Sequence, residues 1–133
     1  MSELQASSTT NGVEWIVEAH GCDAERLRDV GALRGLADDL VVALALRPVA
    51  PAHWHRFPGP GGVTGLVLLA ESHLAVHTFP EHASLCLNLF CCVPRPEWDW
   101  ERGLARHVGA RDVRVRRLAR EYAAASALAP VLA

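Results

Sequence analysis

No lysine occurs anywhere in the 133 residues; all 13 basic side chains are arginine. An enzyme that uses pyridoxal phosphate holds it as a Schiff base on a lysine, so that route to amine chemistry is closed to this chain. If the protein works on amines through an imine, the carbonyl must come from elsewhere. An excess of charge is lacking too. The formal net charge is -2, so no basic face dominates and nucleic acid is not an expected partner. No apolar run reaches the roughly 18 residues of a membrane helix. Met1 to Gly12 is polar and small, without the charged-then-apolar layout of a signal peptide. The expectation is a cytoplasmic protein with no membrane partner.

Metal-binding spacings are also missing. The four cysteines, Cys22, Cys86, Cys91 and Cys92, form no CxxC, and no HExxH is present. His73, His77 and His82 supply suitable ligand types at spacings that match no common zinc pattern, and His53 with His55 makes only a pair. No metal is therefore expected. In a cytoplasmic chain the cysteines are expected to be reduced. Ser72 lacks the GxSxG elbow of a serine hydrolase.

What is present suits one domain. Half the residues are apolar and 21% are charged, over a length that supports a single core. Residues 1–12 read as a flexible leader, 13–118 as the domain and 119–133 as a tail. Strands are expected at Val13–Ala19, His53–Phe57, Val63–Ala70, Glu71–Phe79, Ala83–Cys92 and Val113–Leu118. Helices are expected at Val30–Leu46, ended by Pro48 and Pro51, and at about Trp98–Val108, closed by Gly109. A loop and helix start is plausible over His20–Arg28. The order predicts an α+β, two-layer sandwich: an antiparallel sheet with two helices on one face.

Chemistry concentrates in Leu66 to Cys92. A buried apolar strand runs into Glu71-Ser72-His73, then His77, Glu81 and His82. Titratable groups directly after a core strand either emerge into solvent or mark a site. Parity separates the cysteines that follow. Ala83, Leu85, Leu87, Leu89 and Cys91 form an apolar stripe, so Cys91 belongs to the core and Cys92 is free to face a site.

The string Leu69-Ala70-Glu71-Ser72-His73-Leu74-Ala75-Val76-His77-Thr78-Phe79-Pro80-Glu81 resembles the core motif of the prokaryotic S-adenosylmethionine decarboxylases. The resemblance extends over about Val13 to Leu118, with His55-Arg56-Phe57, Gly62-Val63-Thr64-Gly65 and Phe90-Cys91-Cys92. It implies self-cleavage between Glu71 and Ser72, with Ser72 becoming a covalent pyruvoyl group, the only cofactor expected. That group replaces the pyridoxal a lysine-free chain cannot hold: its carbonyl condenses with the substrate amine and accepts the electrons of decarboxylation. The resemblance makes His77 the residue that assists processing and Cys92 the acid that reprotonates the substrate carbon. Phe57 and Glu81 correspond to substrate-binding positions near the adenosyl group. Thr64 stands where the family commonly has a serine that helps processing. The implied product is the aminopropyl donor for spermidine synthesis.

Ser72 and His77 are five apart, which puts them on opposite faces of a regular strand. A break or turn just after Ser72 is therefore expected, with strained backbone where the acyl shift starts. The chain also departs from the family pattern. Asn88 stands in place of the usual aspartate, Cys91 of threonine, Val93 of glycine and His82 of an aromatic, and the turn before Val63 is one residue longer. These changes surround the substrate, so a same-family ornithine or arginine decarboxylase is the alternative reading, and a non-catalytic binding homologue the third. A homodimer of two-chain protomers is also implied, covering the open face of a single sheet.

Overall fold

The computed structural model describes residues 11–123. Residues 1–10 of the expected leader and 124–133 of the expected tail lie outside them, while Asn11 and Gly12 belong to the first strand and residues 119–121 to the last, so the sheet runs past both expected boundaries. Six strands form one antiparallel sheet in the order β2-β3-β4-β5-β1-β6. The strands are β1 (Asn11–His20), β2 (His53–Arg56), β3 (Val63–Leu68), β4 (Ser72–Phe79), β5 (Ser84–Cys91) and β6 (Asp112–Glu121). Three helices accompany them: α1 (Ala24–Leu27), α2 (Val30–Ala43) and α3 (Trp100–Val108). This is the expected α+β sandwich, with the single-turn α1 added to the two helices anticipated.

Each helix starts on an aspartate whose carboxylate accepts a backbone N–H of the first turn: Asp23 from Glu25, Asp29 from Gly31, Asp99 from Arg102. Gly109 closes α3 at φ 70°, the left-handed position that glycine adopts without strain. Leu33, Leu36 and Leu40 of α2 meet Leu74 and Val76 of β4 and Leu87 of β5, so the helix-covered face of the sheet is the core. The stripe Leu85, Leu87, Leu89, Cys91 is fully buried, as its alternation requires.

One buried polar side chain joins the layers. The Thr78 hydroxyl accepts the Val63 N–H at 2.8 Å and donates to the Leu27 carbonyl at 2.8 Å, tying α1 to β3 and β4. Close approach explains Gly65 on β3, where a Cβ would fall inside the Trp54 ring packed over it.

The other face of the sheet is open. It carries Thr64, Leu66 and Leu68 from β3, His73, Ala75, His77 and Phe79 from β4, and Cys86, Asn88 and Phe90 from β5. Leu66, Leu68 and Phe79 are exposed there at 47%, 58% and 38%, more apolar surface than an antiparallel sheet facing water usually shows. The edge strand β6 is instead charged. Arg116, Arg117 and Arg120 pair with Glu18, Glu97 and Glu14, a common way to discourage edge-to-edge pairing.

Candidate active site

The break expected after Ser72 is absent. β4 is continuous from Ser72 to Phe79 and stays in register with β5 from Ser72↔Cys91 to Phe79↔Ser84. The pairing energy of two full neighbours, β3 and β5, keeps the strand regular. Ser72 therefore shares the covered face with Leu74, Val76 and Thr78, whereas His77 is exposed on the open face. At about 3.3 Å per residue they stand roughly 17 Å apart along the strand.

The irregularity lies before Ser72 instead. Leu69 and Ser72 exchange both backbone hydrogen bonds, at 3.0 and 3.3 Å, closing a two-residue turn of Ala70 and Glu71 between β3 and β4. Neither turn residue has positive φ. The type I′ and II′ turns that suit two-residue hairpins both need one, so this turn is of a less favoured kind. The Ser72 Oγ at its end is buried and has no hydrogen-bond partner among the described residues. A buried, unpaired hydroxyl costs about 1–3 kcal/mol.

Cys92 follows Cys91, the cross-strand partner of Ser72, and so stands at the same end of the sheet. Burial pushes the Cys91 thiol up to about 11, which keeps it protonated; Cys92 is only partly buried and lies just past the strand. The remaining predicted residues gather at the other end of β4. Phe57, Thr64, His77 and Glu81 line one cavity of about 210 Å³ together with Pro58, Pro60 and Gly62. His77 Nδ1 is 3.1 Å from Thr64 Oγ1, its cross-strand neighbour, and Glu81 enters from the short turn Pro80–His82.

The predicted residues thus form two groups, Glu71, Ser72 and Cys92 at one end and Phe57, Thr64, His77 and Glu81 at the other. Three comparisons bear on what such a pair of groups serves. The family model described as S-adenosylmethionine decarboxylase matches residues 13–121. The chain belongs to the S-adenosylmethionine decarboxylase family.

Among curated members, the S-adenosylmethionine decarboxylase proenzyme of Acetivibrio thermocellus is 35% identical over 108 residues, 74% of this chain and 83% of that protein. The proenzyme of Aquifex aeolicus is 35% identical over 83 residues, 62% of this chain and 60% of that protein, so the matched region spans under two thirds of that relative. A crystal structure of the adenosylmethionine decarboxylase from Aquifex aeolicus shares the fold, with a TM-score of 0.70 over 87% of this chain and 95% of that one, at 23% identity.

Glu14, Arg47 and Arg95 escaped the sequence reading as partners of the residues in and around the family motif. Glu71 is gripped by Arg47 and by Arg95, the latter at 3.1 Å. On the open face, His73 Nε2 lies 3.0 Å from Asn88 Oδ1, and Asn88 Nδ2 donates to Glu14, which also pairs with Arg120. The hydrogen bond from Asn88, then the one from Arg120, holds the Glu14 carboxyl below its ordinary value, outweighing the opposing effect of burial. Asn88 is one of the departures from the family pattern that the resemblance led us to expect. Its amide can donate to Glu14 and accept from His73 at once, which an ionised aspartate cannot do.

Proposed function

We propose that this chain is a self-processing S-adenosylmethionine decarboxylase, which cuts itself between Glu71 and Ser72 and converts Ser72 into a pyruvoyl group. The observation that carries this reading is the buried, unpartnered Ser72 hydroxyl at the end of the turn that contains the scissile bond.

In the first step the Ser72 Oγ attacks the Glu71 carbonyl carbon and the peptide C–N bond breaks, leaving an ester and a free amine on residue 72. Loss of the Cα proton then expels the Glu71 carboxylate and leaves a double bond between Cα and Cβ. Water adds, ammonia leaves, and the new chain begins with a pyruvoyl carbonyl. One water is consumed and one ammonia released. The residues fit the group: Ser72 supplies all its carbons, and no lysine is needed. Once formed, the pyruvoyl group supplies the electron-accepting carbonyl for decarboxylation.

The other residues bind and move protons. Cys92, partly buried at the Ser72 end, is the proton donor to the substrate carbon after carbon dioxide leaves. The Phe57 ring offers a face for an adenine or a sulfonium cation, and the Glu81 carboxylate accepts from ribose hydroxyls. Thr64 and His77, hydrogen-bonded to each other, serve processing.

The two groups cannot meet within one chain, and this supports a homodimer. In an isologous pair packed through the open face, the His77 end of one copy lies over the Ser72 end of the other, and the Ser72 hydroxyl, on the covered face, meets it around the free end of β4. Exposed Leu66, Leu68 and Phe79 supply the apolar contact. The four free cysteines agree with a reducing cytoplasm.

The test is carbon dioxide release from S-adenosylmethionine, ornithine and arginine at equal concentration by protein that has run to two fragments. Turnover of S-adenosylmethionine alone is expected. Turnover of ornithine or arginine in its place would reassign the substrate, and a wild-type chain that stays whole would end the enzyme reading.

A further inference from the structure

The turn that carries the scissile bond is held from both sides by arginine. On one side, segment 47–49 runs beside it: the Arg47 carbonyl accepts the Ala70 N–H at 2.8 Å, the Val49 N–H donates to the Leu68 carbonyl at 3.0 Å, and Pro48 bridges Leu69. The Arg47 guanidinium then reaches over to the Glu71 carboxylate. On the other side Arg95, in the loop after β5, donates Nη2 to Glu71 Oε1 at 3.1 Å and Nη1 to its neighbour's carbonyl on Pro94 at 3.2 Å. The Glu71 and Arg95 side chains are each only 14% exposed, so this contact is largely desolvated, while Arg47 is 69% exposed. Arg95 Nε and Ser72 Oγ, two of the five buried side-chain polar atoms without a hydrogen-bond partner among the described residues, belong to residues on either side of Glu71 in this contact.

We propose that Arg95, assisted by Arg47, positions Glu71 for self-cleavage. This rests on the self-processing reading above and deepens it. The Ser72 Oγ and the Glu71 carbonyl carbon belong to adjacent residues, so their approach depends on a few backbone torsions at Glu71 and Ser72 and on the Ser72 rotamer. Two backbone hydrogen bonds fix one end of the turn. The Glu71 side chain, tethered to two separate loops, fixes the other and holds the carbonyl where the hydroxyl can reach it. After the cut, Glu71 carries a second carboxylate at its new chain end, and the same two arginines face both charges. They retain the cut end beside the site and offset the negative charge created there.

The experiment follows cleavage of freshly made chains over time on denaturing gels. Relative to wild type, Arg95→Ala and Glu71→Gln are each expected to slow cleavage about tenfold or more, which is about 1.4 kcal/mol in the barrier. Arg95→Lys is expected to recover part of the rate. Arg47→Ala should act more weakly, because its carbonyl contact to Ala70 remains. The double variant Arg95→Ala with Glu71→Gln should be no slower than Glu71→Gln alone, since Glu71→Gln already removes the ion pairs to both arginines. Thermal unfolding of the same substitutions in uncut Ser72→Ala chains reports folding. If Arg95→Ala does not fold, Glu71→Gln and Arg95→Lys carry the test. Wild-type cleavage rates in folded Arg95→Ala and Glu71→Gln, or slowing that adds in the double variant, overturn the proposal and leave self-processing intact. A wild-type chain that never cleaves overturns the self-processing reading itself.

Discussion

Ser72 and His77 sit five residues apart on one unbroken strand and face opposite sides of the sheet. A nucleophile and its assisting base must come within hydrogen-bond reach, about 3 Å. Roughly 17 Å of strand and the sheet itself separate these two. The proposed cooperation of Ser72 and His77 therefore calls for a second chain, and mixing two variants tests it.

Ser72→Ala lacks the nucleophile and is expected to stay whole. His77→Ala is expected to cleave about a hundredfold more slowly than wild type. Coexpressed, the two variants form mixed dimers in which the intact Ser72 of one chain meets the intact His77 of the other. Cleavage of the His77→Ala chain should then return toward half of the molecules. The measurement is fragment yield from a differently tagged pair. No recovery in demonstrably mixed dimers would show that His77 acts within its own chain.

The cysteines should separate by function. Cys92→Ala is expected to cleave itself yet lose turnover by about a hundredfold or more, because the proton donor is gone. Cys91→Ala removes a buried side chain and is expected to cost about 1 kcal/mol in stability with turnover per folded site retained. Parallel assays of cleavage, carbon dioxide release and thermal unfolding check both. Equal loss of turnover in the two variants contradicts the assignment.

Thr78→Val keeps the shape and deletes the hydroxyl that joins Val63 to Leu27. With a buried N–H left unpaired, unfolding free energy should fall by about 1–3 kcal/mol. A denaturant midpoint equal to that of wild type would show that the hydroxyl does not hold α1 to the sheet.

The Glu14 carboxyl titrates below its ordinary value of 4.5 because Asn88 donates to it and Arg120 lies beside it. A group with a depressed folded value stabilises the fold above its unfolded value, and that contribution disappears as pH falls through the folded value. The stability difference between wild type and Glu14→Gln should thus be full near pH 7 and shrink below about pH 4.5. A difference constant with pH would mean the carboxylate charge plays no part.

Much of this was legible in the sequence because it is local. The alternation Leu85, Leu87, Leu89, Cys91 announces both the strand and its buried face, and Gly109 marks the end of α3, whereas α2 stops at Ala43, ahead of Pro48 and Pro51 that were expected to end it. The Glu71-Ser72-His73 motif pointed to the site, but the turn lies before Ser72, at Ala70 and Glu71, where an extended chain was expected. The expected break after Ser72 failed because local parity said nothing of the two neighbouring strands that hold β4 straight. Arg47 and Arg95 were invisible for a similar reason. They lie 24 residues on either side of Glu71, in proline-containing loops, and only the tertiary fold brings them to it. The network of Glu14, Asn88 and His73 likewise joins three strands.

The central claim is that this polypeptide manufactures its own reactive carbonyl from Ser72. Intact-mass measurement of purified, active protein tests it most directly. The account predicts two chains, residues 1–71 and 72–133, the second lighter than its sequence by one molecule of ammonia. An uncut chain in an active preparation, or a second fragment that still begins with an unmodified serine, would contradict it.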